Sequence, residues 1–178
     1  MPVAPDPETL MSQEERMQQV VNDPRLPGVY KTRIQEELST PFPIDVREVN
    51  PLDFFDTEKR PEGKKLTWMR ARIPLAGADA NMHRCLAAFL SDWGLATASL
   101  LPHGIMFGSP KLKFHTSLDH SMWFHAPFRA DEWMLFDVKT VKLHGGRGMN
   151  MGYLYSHTGE LVITTAQECL IRLQKKSS

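Results

Sequence analysis

MHRCLAAFLSDWGLATASLL, residues 82 to 101, is an apolar run with a helical beat: Met82, Cys85, Leu86, Phe89, Trp93, Ala96 and Leu100 recur at intervals close to one turn. The spacing predicts one long helix over this run. Ala87, Ala88, Gly94, Ala96 and Ala98 are small enough to let a sheet come close, and Pro102 and Gly104 end the helix.

On either side the period changes to two. Ile44 to Val49 and Leu66 to Ile73 alternate apolar with charged residues, as half-buried strands do, and Pro51, Pro61 and Gly63 mark a loop between them. After the helix the chain is strand-rich: Lys111 to Leu118, Ser121 to His125, Trp133 to Leu143, Gly148 to Tyr155 and Leu161 to Leu173. Ala126-Pro127, Gly145-Gly146 and His157-Thr158-Gly159 supply the turns, the last as a three-residue hairpin. Strands, one central helix, then several antiparallel strands make an α+β protein, read as a sheet wrapped around one helix in the hot-dog arrangement, although the same order fits other small α+β folds.

Residues 1–40 are polar and broken by Pro2, Pro5, Pro7, Pro24 and Pro27, so they read as a linker-like segment. Within it, Ser12 to Val21 predicts one short helix, with Ser12 as cap and Glu15 completing a capping box. Residues 41–174 are expected to form a single domain and 175–178 a tail. Such a linker-like start hints that another unit normally precedes it.

The 178 residues carry 42% hydrophobic content, enough for one core of ordinary size. With 21 basic and 21 acidic residues the formal charge is zero, so no global field gathers a polyanion, and nucleic acid is not an expected partner. Cys85 and Cys169 both lie in apolar runs without a flanking His or basic cluster, and read as small hydrophobes in a soluble, intracellular, reducing setting. No signal peptide or membrane span is expected. The closing Lys175-Lys176-Ser177-Ser178 is not a Ser-Lys-Leu address, which leaves peroxisome and cytoplasm both open.

Three places do not suit a plain core. Asp92 shares a helical face with Cys85, Phe89 and Ala96, which points its carboxylate toward the sheet, where an unpaired charge costs several kcal/mol, or, with the helix turned slightly, sets it at a solvated border. Gln167 falls among Leu161, Ile163, Thr165, Cys169 and Ile171 by the strand period, an amide among aliphatic neighbours that needs partners. Thr116 to His125 crowds hydroxyls, a carboxylate, two imidazoles and two aromatics into one extended run. Adjacent strand residues face opposite ways and cannot form a triad alone, and with no G-x-S-x-G elbow a nucleophilic serine is disfavoured. Asp119, His120 and His125 are too widely spaced on a strand to read as a metal site, so no metal is expected. Gly145-Gly146-Arg147-Gly148 lacks phosphate-loop spacing and reads first as a flexible hairpin, with Arg147 contacting a CoA phosphate as the alternative.

Leu118-Asp119-His120-Ser121-Met122-Trp123-Phe124-His125-Ala126-Pro127-Phe128 resembles the signature of the acyl-CoA thioesterase II family, which includes bacterial enzymes and eukaryotic peroxisomal ones. Ser91-Asp92, Leu101-Pro102-His103, Arg147-Gly148 and Ala166-Gln167-Glu168 match in the same order, so the resemblance spans about Ile44 to Arg172. It implies the second, catalytic half of a double hot-dog enzyme, and Met1-Pro2-Val3-Ala4-Pro5 is similar to the start of that family's inter-domain linker. It also implies hydrolysis of fatty acyl-CoA to free acid and CoA without a cofactor. By motif position the catalytic residues are Asp92, Ser117 and Gln167, with Ser where the family often has Thr. Arg147, Gly148 and His120 are the expected substrate-binding residues. Asp92 would be the general base, Ser117 and Gln167 would hold a water, and a backbone N–H near the helix would take charge on the carbonyl oxygen.

Two other readings compete. A half-enzyme could bind acyl-CoA or dock to another hot-dog unit without turnover, and a hot-dog dehydratase would use His120 or His125 with an acid. A homodimer, or association with another hot-dog unit, is expected because edge-to-edge pairing reproduces the double unit and covers strand edges.

Overall fold

In the computed structural model, residues 1–40, 42–55, 58–106, 109 and 111–174 are described. The expected tail at 175–178 lies outside them. Among the described residues there are seven strands, all antiparallel: β1 Ile44–Glu48, β2 Lys64–Ala71, β3 Leu112–Ser117, β4 Ser121–Phe124, β5 Met134–His144, β6 Arg147–Ser156 and β7 Leu161–Leu173. The sheet order is β1-β2-β5-β6-β7-β3, with β4 also paired to β7.

Strand β7 organises this end of the sheet. One side pairs with β6 along its length, from Leu161 opposite Tyr155 to Leu170 opposite Arg147. The other side takes β4 in its first half, Phe124 on Ile163 and Ser121 on Ala166, and β3 in its second, Ser117 on Cys169 and Leu112 on Leu173. The β3–β4 corner, Leu118 to His120, therefore falls against Gln167 and Glu168.

Alternation sets the inner face. Met69 from β2, Met134, Phe136 and Val138 from β5, Leu154 from β6 and Ile163 from β7 are buried together with Ala87, Leu90, Leu95, Ala98 and Leu101. A smaller cluster joins Ala96, Leu100 and Ile105 to Cys169 and Ile171. The β5–β6 hairpin turns on Gly145 and Gly146, at φ 58° and 73°, the left-handed geometry a two-residue hairpin loop demands.

The single long helix is corrected to two pieces. An α-helix, α3, runs Ala80–Asp92, and a 3₁₀ segment runs Ala96–His103. Gly94, one residue past the Trp93 cap, takes φ 85°, the left-handed stop that glycine adopts without steric cost. Ala80–His103 is long and apolar enough to pass for a membrane span, yet it is broken at Gly94 and half buried in the protein's own core. The expected buried face of α3 is also corrected: His83, Ala87, Leu90 and Ser91 point inward, while Cys85 and Phe89 are exposed.

The segment before the sheet is more ordered than a linker reading suggests. Helix α1, Gln13–Asn22, begins at Ser12 with the expected capping box to Glu15, and a second helix, α2, follows at Gly28–Ser39. Ahead of them the chain straps the sheet: Trp68 Nε1–H donates to the Pro5 carbonyl at 2.9 Å and Trp133 Nε1–H to Glu8 at 2.9 Å. Arg16 of α1 pairs with Glu48, which also meets Lys65 Nζ at 2.6 Å.

Candidate active site

Asp92 and Gln167 come from elements 75 residues apart and meet directly: Gln167 Nε2–H donates to Asp92 Oδ1 at 2.6 Å. Gln167 is fully buried because it sits on the inner face of β7 opposite Asn150 of β6. Asp92 is the last residue of α3 and is exposed, which puts it at the solvated border, the second of the two places its spacing allowed, and not on the sheet side. The helix stops there and Trp93 leads the backbone away, so the carboxylate sits at the rim of the sheet rather than beneath it.

The contact fixes how the amide is turned. A carboxylate only accepts, so the NH₂ end of Gln167 faces Asp92 and Oε1 faces elsewhere. Oε1 is buried without a hydrogen-bond partner among the described residues. A buried acceptor left in that state costs about 1–3 kcal/mol, which a donor entering the site would recover.

Ser117 ends β3 and is exposed. Its partner across the ladder is Cys169, so it shares the inner side of the sheet with Gln167, one diagonal step away, about 7–8 Å in a regular sheet. Among the described residues its hydroxyl makes no hydrogen bond to Asp92 or Gln167. The neighbouring corner is pinned to β7: Leu118 N–H donates to the Glu168 carbonyl and Glu168 N–H to Asp119 Oδ1, both at 2.8 Å.

The other expected ligand contacts fare differently. His120 reaches inward, with Nε2 2.9 Å from Ser91 Oγ. Gly148 is buried beneath the 3₁₀ segment, where a Cβ would lie 2.1 Å from Ser99 Oγ, so it serves close packing. Arg147 lies on the opposite face of the sheet from Gln167, exposed and 3.3 Å from Glu168. His125 is bound at 2.8 Å to Thr164 Oγ1, which together with the His120 and Asp119 contacts sends the three side chains once weighed as metal ligands to three separate partners. Among the described residues no group of three or more His, Cys, Asp or Glu side chains is placed to hold a metal.

Two polar residues beside the site, Asn150 and Ser91, are buried where the sequence reading assigned them no buried role. Asn150 receives Ser99 Oγ–H at 2.7 Å and Thr140 Oγ1–H at 3.0 Å on Oδ1, which ties the 3₁₀ segment to the strand opposite Gln167. The period of two through Arg147–Ser156 puts it on the same face as Gly148, Gly152 and Leu154, so a signal existed. Ser91 is fully buried, and a serine near a helix end carries no such signal. Beside Ser117, burial pushes the His115 imidazole below its ordinary range, against the hydrogen bond it donates to the Ala96 carbonyl.

A family model described as the acyl-CoA thioesterase C-terminal domain matches residues 8–171. The chain belongs to that family. Acyl-coenzyme A thioesterase 8 of Mus musculus is 39% identical to this acyl-CoA thioesterase C-terminal domain over 178 residues, 100% of the chain and 54% of the relative. Acyl-CoA thioesterase 2 of Haemophilus influenzae is 33% identical over 144 residues, 80% of the chain and 49% of the relative. The crystal structure of an acyl-CoA thioesterase II, TesB2, from Mycobacterium marinum superposes with a TM-score of 0.68 at 32% identity, covering 99% of this chain and 57% of that one. A hot-dog-fold protein from Alicyclobacillus acidocaldarius gives 0.63 at 15% identity over 98% of this chain and 55% of that one, so the architecture of this thioesterase domain is the hot-dog fold. The domain spans about half the length of the curated relatives it matches.

Proposed function

We propose that this chain carries the catalytic residues of an acyl-CoA thioesterase and hydrolyses fatty acyl-CoA to free fatty acid and CoA through a water activated by Asp92. The observation that carries the reading is the 2.6 Å hydrogen bond from Gln167 Nε2 to Asp92 Oδ1. It leaves the second carboxylate oxygen and the Gln167 carbonyl oxygen as two acceptors. A water donating one hydrogen to each turns a lone pair outward, toward the thioester carbon. As that lone pair attacks, the proton bound for the carboxylate moves to Asp92, the C–S bond breaks, and the CoA sulfur leaves as thiolate and takes up a proton. Ser117, on the same side of the sheet, donates its hydroxyl to the water or the carbonyl oxygen. Proton transfer by a positioned base is worth about 10²–10⁴ in rate. Arg147, away from this centre, is the exposed cation that meets a CoA phosphate.

Asp92→Asn tests the assignment. It keeps size and polarity and removes the base, so CoA release, followed with a thiol reagent, should fall about 10²–10⁴-fold with acyl-CoA binding retained. A wild-type chain releasing CoA no faster than the variant would refute the assignment.

A second reading, a half that binds or docks without turnover alone, draws on exposure. Asp92 and Ser117 are exposed, as are Phe89, one turn before Asp92 on α3, at 51%, and Phe124, on the inner side of the sheet opposite Ile163, at 42%. Apolar surface beside a carboxylate suits a site closed by another hot-dog unit, whether a second copy or the rest of a longer chain. Light scattering alongside the CoA-release assay separates the two: an inactive monomer favours the docking half, an active dimer the self-completing enzyme.

A further inference from the structure

We infer that His120 is a positioning residue: through its hydrogen bond to Ser91 it clamps the end of α3 that carries Asp92 to the β3–β4 corner that follows Ser117. What is being positioned rests on the hydrolytic reading above, whereas the clamp rests on geometry alone. Asp92 closes a helix, is exposed, and is followed by the turn at Gly94, so its place depends on what ties the last turn of α3 down.

Three hydrogen bonds and three peptide steps form a closed ring. Gln167 Nε2 binds Asp92 at 2.6 Å, and Asp92 follows Ser91 in the chain. Ser91 Oγ meets His120 Nε2 at 2.9 Å, and His120 follows Asp119. Asp119 Oδ1 accepts from Glu168 N–H at 2.8 Å, and Glu168 follows Gln167. Each member is thereby fixed relative to the other two elements. Without the Ser91–His120 link, the hydrogen bond that holds the Asp92 side chain to the sheet among the described residues is the Gln167 contact, and the corner after Ser117 loses its strongest hydrogen bond to the helix.

The ring also fixes a tautomer. Ser91 Oγ has one hydrogen and three acceptors in reach: His120 Nε2 at 2.9 Å, the Ala88 carbonyl at 3.0 Å and the weaker Met122 sulfur at 3.6 Å. Nδ1 of His120 is enclosed by the protein, and a bare ring nitrogen is cheaper to bury unpaired than an N–H, so Nε2 carries the hydrogen and donates to Ser91 Oγ, whose own hydrogen goes to the Ala88 carbonyl. His120 Nδ1 is then a bare acceptor, buried without a partner among the described residues. An apolar residue would fill this corner without that cost, and it could not make the clamp.

The test compares His120→Ala, His120→Gln, His120→Asn, Ser91→Ala and the Ser91→Ala/His120→Ala pair in the whole chain, with kcat and KM scaled to folded protein. Misplacing a reacting group by about 1 Å costs about 100-fold, so His120→Ala and Ser91→Ala should each lower kcat by about that factor with KM within about twofold. The double variant should be no worse than either single one, because both remove the same link. Glutamine sets an amide N–H near the Nε2 position and should restore most of kcat; asparagine reaches only the Nδ1 position and should not. Unchanged kcat, independent losses that multiply, or rescue by asparagine rather than glutamine would overturn the inference. Nitrogen-15 NMR of the imidazole reads the clamp without turnover: hydrogen on Nε2 in the wild type and loss of that state in Ser91→Ala support it, and hydrogen on Nδ1 overturns it. A wild type that releases no CoA but shows the Nε2–H state removes the hydrolytic reading and leaves the clamp standing.

Discussion

Replacing Gly148 with alanine decides between two roles for that residue, substrate contact and close packing. Gly148 lies opposite Cys169 on the inner face of the sheet, and a Cβ there would sit 2.1 Å from Ser99 Oγ, 2.6 Å from Ser99 Cβ and 3.1 Å from Leu143 Cδ2. Ser99 has little room to yield: it is fully buried and donates to Asn150 at 2.7 Å. The 3₁₀ segment must therefore lift or the strand must bend, and such overpacking costs about 1–3 kcal/mol. In a chain of this size each kcal/mol moves Tm by about 2–4 °C, so a fall of about 2–12 °C is expected. Urea unfolding followed by fluorescence and by far-UV circular dichroism gives the free energy, and KM measured well below the new Tm should stay within about twofold of wild type. Ser99→Gly in the Gly148→Ala background should recover part of the loss. Stability unchanged to within about 0.5 kcal/mol, combined with a raised KM, would refute the packing argument and return Gly148 to the substrate.

Glu48 gives an acid-stability test. Burial raises its pKa, but Lys65 and Arg16 outweigh burial and bring it from the ordinary 4.5 down to about 2. A depressed carboxyl contributes stability that is present above the ordinary value and lost as pH falls through the folded one, here from about 4.5 to about 2. Glu48→Gln should cost on the order of 3 kcal/mol at pH 7 by urea unfolding, with the gap to wild type closing over that window; a gap independent of pH would count against the ion pairs as its source. Ser12→Ala removes one arm of the capping box and should cost about 1 kcal/mol in the same assay, and no change would show that α1 contributes nothing to global stability.

The strands were legible because alternation is a local property. Leu161–Leu173 appears with the bounds read from the sequence, and Ile44, Lys64, Met134 and Arg147 begin their strands within two residues of expectation. The helix was legible as an element and misread in two respects. Gly94 is compatible with a helix interior by spacing alone, and only the chain's need to turn toward Ala96–His103 makes it a stop. The buried face was chosen wrongly because α3 is apolar on two sides, Met82, Cys85, Leu86 and Phe89 as well as Ala87 and Leu90, so periodicity does not say which stripe meets the sheet. Helix α2 was missed because Pro24 and Pro27 read as breakers, whereas Pro27 stands at the N-terminal cap, where proline interrupts nothing. At the site, Asp92 and Gln167 stood out as polar residues in apolar company, and their contact could not have been read from residues 75 apart. Ser117 entered through the family resemblance, and the Ser91–His120 bond through the coordinates alone.

The double duty of β7 has a bearing on how the chain comes off the ribosome. Leu161–Leu173 is the neighbour of β6 on one side and of β3 and β4 on the other, and it supplies Gln167. Until this last strand has emerged, β3 and β4 have no sheet to join and Asp92 has no amide to meet. The nascent domain must wait with apolar strand edges uncovered, an interval in which a chaperone, or a hot-dog unit already folded nearby, would find its easiest opening.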